Sequence, residues 1–199
     1  MDDLRAGNDG GMKPPSWANT GDSWGTPAKF FHWLIAALIL AQIALGLTAV
    51  NWPLSPLKLN LFVWHKSIGM MILALVVLRL LWRLANAVPS LPPDTTDWER
   101  RAAHASHFLL YVAMIALPVT GWIISSTSGI PFRIFWWIPL PAIAAVDSTV
   151  EALAKLAHFS LFTLLAALLL VHVGAALRHH YVKRNDVLAR MLPFSGKSQ

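Results

Sequence analysis

The sequence predicts an all-α membrane protein, a four-transmembrane-helix bundle with both termini on the cytoplasmic side. Three observations carry that prediction. Hydrophobic residues make up 56% of the 199 positions and charged residues only 13%, about half the charge of an ordinary soluble domain; mean hydropathy is +0.53. Four stretches stay apolar for the length of about 20 helical residues that a hydrocarbon core requires. Lysine and arginine collect on one side of those stretches.

Residues 1–28, most of "MDDLRAGNDGGMKPPSWANTGDSWGTPAK", are polar and rich in Gly and Pro. They lack the basic start and apolar centre of a signal peptide and read as a flexible polar tail, so the first apolar segment is a retained span. A transmembrane domain is predicted over residues 29–182 and a cytoplasmic C-terminal tail over 183–199.

The first span is "FFHWLIAALILAQIALGLTAV", Phe30 to Val50. The second, Leu61 to Leu84, is "LFVWHKSIGMMILALVVLRLLWRL". A Pro-rich connection, "NAVPSLPPDTTDWERR", leads to the third, "HASHFLLYVAMIALPVTGWIISS", His104 to Ser126, where Pro118 is expected to kink or open the helix. The loop "SGIPFRIFWWIPLPAIAAVDS" is apolar and Trp-rich and is expected to lie along the membrane surface or cover something. Ser148 and Glu151 form an S-x-x-E capping box ahead of the fourth span, Val150 to Leu177. Helices are preferred to a barrel because the runs lack the alternation of a lipid-facing strand.

Twelve of the sixteen Lys and Arg fall on the side of the termini, and only Lys58, Lys66, Arg133 and Lys155 on the other. The positive-inside rule therefore makes the terminal side cytoplasmic. A pI near 10.1 would also suit nucleic-acid binding, but the cations form no aromatic-interleaved patch, so nucleic acid is excluded as a partner. There is no cysteine. Disulfides, thiolate-held iron–sulfur clusters and Cys-x-x-Cys-His haem attachment are thereby excluded, and any metal must be held by His, Met or carboxylate.

Histidine inside a membrane span is costly and is a functional-site hypothesis by default. His32 opens span one at the inner side; His65 and His158 open spans two and four at the outer side. His172 follows His158 by fourteen residues, about 21 Å and nearly four full turns along one face. The depths pair His32 with His172 and His65 with His158. Two bis-histidine sites at two heights of a four-helix bundle is the geometry of two haem b groups.

Gly46 and Gly121 follow His32 and His107 by the same fourteen residues, and Arg79 follows His65. The glycines would admit a flat porphyrin or simply serve helix packing, and Arg79 would pair with a haem propionate or pack. His104, His107, His179 and Lys183 are candidates for a quinone or proton site near the inner face. His179 and His180 read equally well as interfacial anchors with Tyr181, and Met70, Met71 and Met114 as packing. A metal transporter would add acidic residues within the spans, which hold none beyond Glu151.

"FHW", "WHKSIG", "VVLRLLWRL", "AHASH", "LAH" with its fourteen-residue step to "VHVGAALRHHY", and "KRNDVLARMLP" together resemble the bacterial cytochrome b561 family, in particular its short four-helix di-haem superoxide:ubiquinone oxidoreductases. The resemblance covers residues 25 to 194. It implies one haem b on His32 and His172, another on His65 and His158, and electron flow from the periplasmic face to ubiquinone in the inner membrane. Superoxide as donor would be drawn by Lys58, Lys66, Arg133 and Lys155, which outnumber Asp147 and Glu151. Two alternatives remain open at this point: a cytochrome b subunit relaying electrons between a periplasmic redox protein and quinone, and a haem-free channel or structural membrane protein.

Overall fold

A computed structural model describes residues 17–21 and 23–193. In these residues the chain forms four long helices: α1 (Thr26–Asn51), α2 (Pro56–Ala85), α3 (Asp97–Thr127) and α4 (Ser148–Tyr181). All four are long and apolar enough to cross a membrane. Each outruns its predicted span because its starting signals lie beyond the apolar run. Prolines occupy the first turns of α1 and α2, where a missing N–H costs nothing. Lys58 N donates to the Ser55 side chain at the start of α2.

The start of α4 differs from the expectation. Its N-cap is Asp147, whose carboxylate accepts from Thr149 N at 2.8 Å and Val150 N at 3.0 Å, and Ser148 is already helical. A carboxylate there satisfies two orphan donors and meets the positive end of the helix dipole. Glu151 instead pairs with Lys155 one turn on, at 2.6 Å. The box belongs to α3, where Thr96 N and Thr96 Oγ1 both donate to Glu99 Oε2, at 3.0 and 2.8 Å.

The connection between α3 and α4 corrects the all-helical expectation. It folds into an antiparallel hairpin of β1 (Phe132–Ile134) and β2 (Ile138–Leu140), registered Phe132 with Leu140 and Ile134 with Ile138. Phe135 and Trp136 at its tip take positive φ, 46° and 67°, which bulky residues seldom adopt. Two contacts to α2 hold them: Phe135 N donates to the fully buried Ser67 hydroxyl at 2.8 Å, and Trp64 packs edge-on against both rings. Pro118 does not interrupt α3, which is continuous through it.

Helix α1 packs on α2, α2 on α3, and α3 on α4. The core of Ile35, Ile39, Ile72, Val76, Leu110, Ala113, Met114 and Leu165 draws on all four. Outward-facing side chains remain apolar, Leu170 being 77% exposed, as befits a surface solvated by acyl chains.

Both ends of the described chain lie at one end of the bundle, here called the terminal end; the hairpin marks the other. Trp33 Nε1 donates to Met191 O, Arg190 to Ser90 O, and Asn19 Nδ2 to Ala87 O, each at 2.8 Å. The chain is thus fastened from Asn19 onward, within the segment read from sequence as tail; positions 1–16 lie outside the described residues. At the same end the buried Glu99 carboxylate receives Arg178 and Lys183, both at 2.6 Å, tying the start of α3 to the end of α4.

Removing the buried carboxylate strands the mostly buried Lys183 ammonium, whereas an exposed pair contributes about 0–1 kcal/mol. Glu99→Ala therefore lowers the thermal unfolding midpoint of the detergent-solubilised protein by several degrees. Lys155→Ala leaves it nearly unchanged. Differential scanning fluorimetry checks both.

Candidate functional site

The histidines of the spans converge at two heights. Near the terminal end the rings of His32 on α1 and His172 on α4 have centroids 6.2 Å apart and planes inclined at 60°. Near the hairpin end His65 on α2 and His158 on α4 are 6.3 Å apart and inclined at 66°. Helix α4 supplies one member of each couple, and its fourteen-residue step sets the two heights.

That separation leaves room between the two rings of each couple for a group that both imidazoles would hold. Direct imidazole hydrogen bonding is not the link in either couple. The Nδ1 atoms of His32 and His65 are buried and have no hydrogen-bond partner among the described residues, a condition that costs about 1–3 kcal/mol when nothing else meets the group.

The helices repeat a seven-residue step between the two heights. His32, Ile39 and Gly46 lie along α1; His65, Ile72 and Arg79 along α2; His107, Met114 and Gly121 along α3; His158, Leu165 and His172 along α4. The four middle residues all belong to the buried core. They also line a cavity of about 500 Å³ that reaches Gln42, Gly46, His65, Gly121 and His158, within the range of small-molecule and cofactor sites. Its surroundings are mostly apolar, with imidazoles as donors. Imidazoles in an apolar setting fit the donor type that haem b would need there.

The two predicted glycines are not equivalent. A Cβ on Gly46 would stand 2.8 Å from His65 Cε1, whereas one on Gly121 would stand 3.6 Å from His158 Cε1. Gly46 thus makes room for the facing imidazole of α2; at Gly121 a methyl group would make ordinary contact. Gln42 lies beside them, its Nε2 donating to His65 O at 2.6 Å while Oε1 is buried and unpartnered among the described residues.

At the terminal-end height a third imidazole is present: His107 lies 5.3 Å from His172. Arg79 and Arg83 lie 5.9 and 6.0 Å from the centre of the Tyr111 ring, whose hydroxyl is buried without a described partner. Two cations and a phenol at that height form a surrounding suited to an anionic group such as a carboxylate. Arg83 and Tyr111 escaped the sequence reading, although Arg83 follows Arg79 by the four residues that place both on one helix face.

The remaining candidates separate. His104 is exposed, away from the His107–His172 contact. His179 Nδ1 meets Asn185 Nδ2 at 3.0 Å, and Lys183 is held by Glu99. Lys58 Nζ caps the end of α1 through Val50 O and Trp52 O, at 3.2 and 2.8 Å. Lys155, one of the four cations set from sequence against Asp147 and Glu151, pairs directly with Glu151 at 2.6 Å. Lys66 lines the cavity and lies 5.4 Å from the Phe132 ring; Arg133 is exposed on β1. Thr120 was not singled out from sequence, yet its hydroxyl lies 2.9 Å from His158 Nδ1.

Paired imidazoles at two heights of a four-helix bundle are an arrangement that a cytochrome b type of site would use. Comparison with known proteins agrees: the family model for prokaryotic cytochrome b561 matches residues 23–194. Cytochrome b561 homolog 2 of Escherichia coli (strain K12) is 34% identical over 189 residues, covering 92% of this chain and 96% of that protein. Cytochrome b561 homolog 1 of the same organism is 30% identical over 129 residues, 65% of this chain and 73% of the relative. A Yersinia pestis protein named probable superoxide oxidase CybB is 28% identical over 172 residues, 81% of this chain and 91% of its own length. The chain belongs to the prokaryotic cytochrome b561 family, membrane electron-transfer proteins, and membership implies binding of haem b.

The glycine asymmetry gives a test. Gly46→Ala displaces the His65 ring and lowers the haem retained by the purified protein. Gly121→Ala retains the wild-type content. Pyridine haemochromogen assay per chain measures both.

Proposed function

We propose that this chain is a di-haem cytochrome b of the bacterial inner membrane, with cytoplasmic termini, that transfers electrons from periplasmic superoxide to ubiquinone. The observation that carries the reading is the pair of imidazole couples, 6.2 and 6.3 Å between centroids, at two heights of one bundle. His32 and His172 would hold one haem b at the terminal end, and His65 and His158 the other at the hairpin end. Haem b, when bound, supplies a one-electron ferric/ferrous couple at each height.

The chain's own residues do the rest. Ile39, Ile72, Met114 and Leu165 fill the interval between heights and exclude water from it. Arg79, with Arg83 and Tyr111, supplies a cationic surrounding for a propionate. On the periplasmic face Lys66 and Arg133 are the cations best placed to attract an anionic donor, because Lys155 is offset by Glu151 and Lys58 is engaged with α1 carbonyls. Two superoxide ions, one ubiquinone and two protons yield two dioxygen molecules and one ubiquinol, so the quinone side requires a proton path. His107, 5.3 Å from His172, is a titratable side chain beside the terminal-end couple, and His104 lies one turn before it at the exposed edge. The Yersinia pestis relative's name supports superoxide as the donor.

Three measurements test this. Purified protein shows reduced b-type α bands with two haems per chain; their absence would sink the reading. His65→Ala or His158→Ala loses the hairpin-end haem and spares the other, while His32→Ala or His172→Ala does the reverse; a clean loss in any other combination overturns the ligand assignment. In stopped flow, superoxide reduces the haem, a ubiquinone analogue reoxidises it, and neutralising Lys66 and Arg133 slows the first phase and flattens its dependence on salt. Haem that stays oxidised in superoxide excludes the proposed donor.

A further inference from the structure

We infer that Thr120 is the positioning residue for His158: its hydroxyl accepts the Nδ1 proton of that imidazole and so presents Nε2 to the haem iron at the hairpin end. This rests on the ligand assignment of the proposed function and goes one shell further out.

Hydrogen-bond accounting supports that direction. Thr120 Oγ1 lies 2.8 Å from Leu117 O and 2.9 Å from His158 Nδ1. A carbonyl oxygen only accepts, and a hydroxyl has one proton to give. Donation to Leu117 O, the back-bond that threonine favours in helices, commits that proton. Oγ1 therefore meets His158 with a lone pair, and Nδ1 must carry the hydrogen. A neutral imidazole protonated at Nδ1 keeps its lone pair on Nε2. The His158 ring lies beside Gly121, next in the chain, where even an added Cβ would stand 3.6 Å from Cε1.

The arrangement is asymmetric. The His158 imidazole has a hydroxyl partner, whereas Nδ1 of His32 and Nδ1 of His65 are buried without one among the described residues. A ligand imidazole that donates its other N–H is oriented and becomes a stronger base, which favours ferric over ferrous iron. Thr120 thus lowers the reduction potential of the hairpin-end site relative to a site without the bond.

The test uses the full-length, haem-loaded protein with Thr120→Val, which keeps the shape but loses the hydroxyl, and Thr120→Ser, which keeps the hydroxyl. Potentiometric titration at the α band and EPR of the oxidised protein are read for each haem, the hairpin-end component being identified by its loss in His158→Ala. The expected result is a positive shift of the hairpin-end midpoint and altered EPR g values in Thr120→Val, an unmoved terminal-end midpoint, and wild-type behaviour in Thr120→Ser. If Thr120→Val instead loses the hairpin-end haem while Thr120→Ser keeps it, the hydroxyl is again shown to be required. Unchanged midpoints and g values in Thr120→Val, equal shifts at both haems, or equal effects of Val and Ser would each overturn the inference. A wild-type chain without haem, or a His158→Ala protein with both haems, would overturn the ligand assignment itself, an outcome distinct from intact haem with an indifferent Thr120.

Discussion

A nitrogen lone pair surrounded by hydrocarbon has no water to meet it, and this chain places several imidazoles in that position. The rest of the structure is arranged around that constraint. Helix α4 contributes His158 and His172 to both couples, while its close packing partner is α3 rather than α1 or α2. The imidazoles therefore reach across the gaps that helix packing leaves, and the bundle need not be tightly closed where they meet. What closes it lies elsewhere: apolar side chains at mid-height, the Glu99 ion pairs at one end and the hairpin docked on Ser67 and Trp64 at the other.

The division of labour between the ends follows from their chemistry. The terminal end is held by directional polar bonds, including the carboxylate shared by Arg178 and Lys183. The hairpin end relies on the Ser67 and Ser126 hydroxyls, aromatic edges and the carbonyl caps supplied by Lys58. Polar lacing at one end and aromatic cover at the other give two differently wetted surroundings to sites built from the same side-chain type.

Much of this was legible in the sequence, for physical reasons. Continuously apolar runs have few folds open to them in lipid, so the four helices could be read directly. Depth along a helix is proportional to residue number, so the meeting of His32 with His172 and of His65 with His158 followed from counting. Other features depend on relations that counting does not reach. Strands of three residues, Phe132–Ile134 and Ile138–Leu140, carry too little periodicity to distinguish a hairpin from an apolar loop. Ser148 and Asp147 both suit an N-cap, and only backbone geometry chose between them. Thr-x-x-Glu at Thr96 was as readable as Ser-x-x-Glu at Ser148 but lay farther from an apolar run. Thr120 resembles any hydroxyl in a span until the rotation of α3 against α4 brings it to His158 Nδ1, and Lys155 reads as one cation among four until Glu151 is seen to reach it.

The seven-residue steps that join the two heights have a geometric corollary. A straight α-helix turns slightly less than two full revolutions over seven residues, leaving a lag of about 20° per step. From His158 through Leu165 to His172 the lag doubles to about 40°, and the same holds along α1, α2 and α3 wherever the helices stay straight. The two sites are therefore related by a screw displacement: ascent along the bundle axis brings rotation with it, and one chamber is turned relative to the other unless left-handed coiling of the helices takes up the difference.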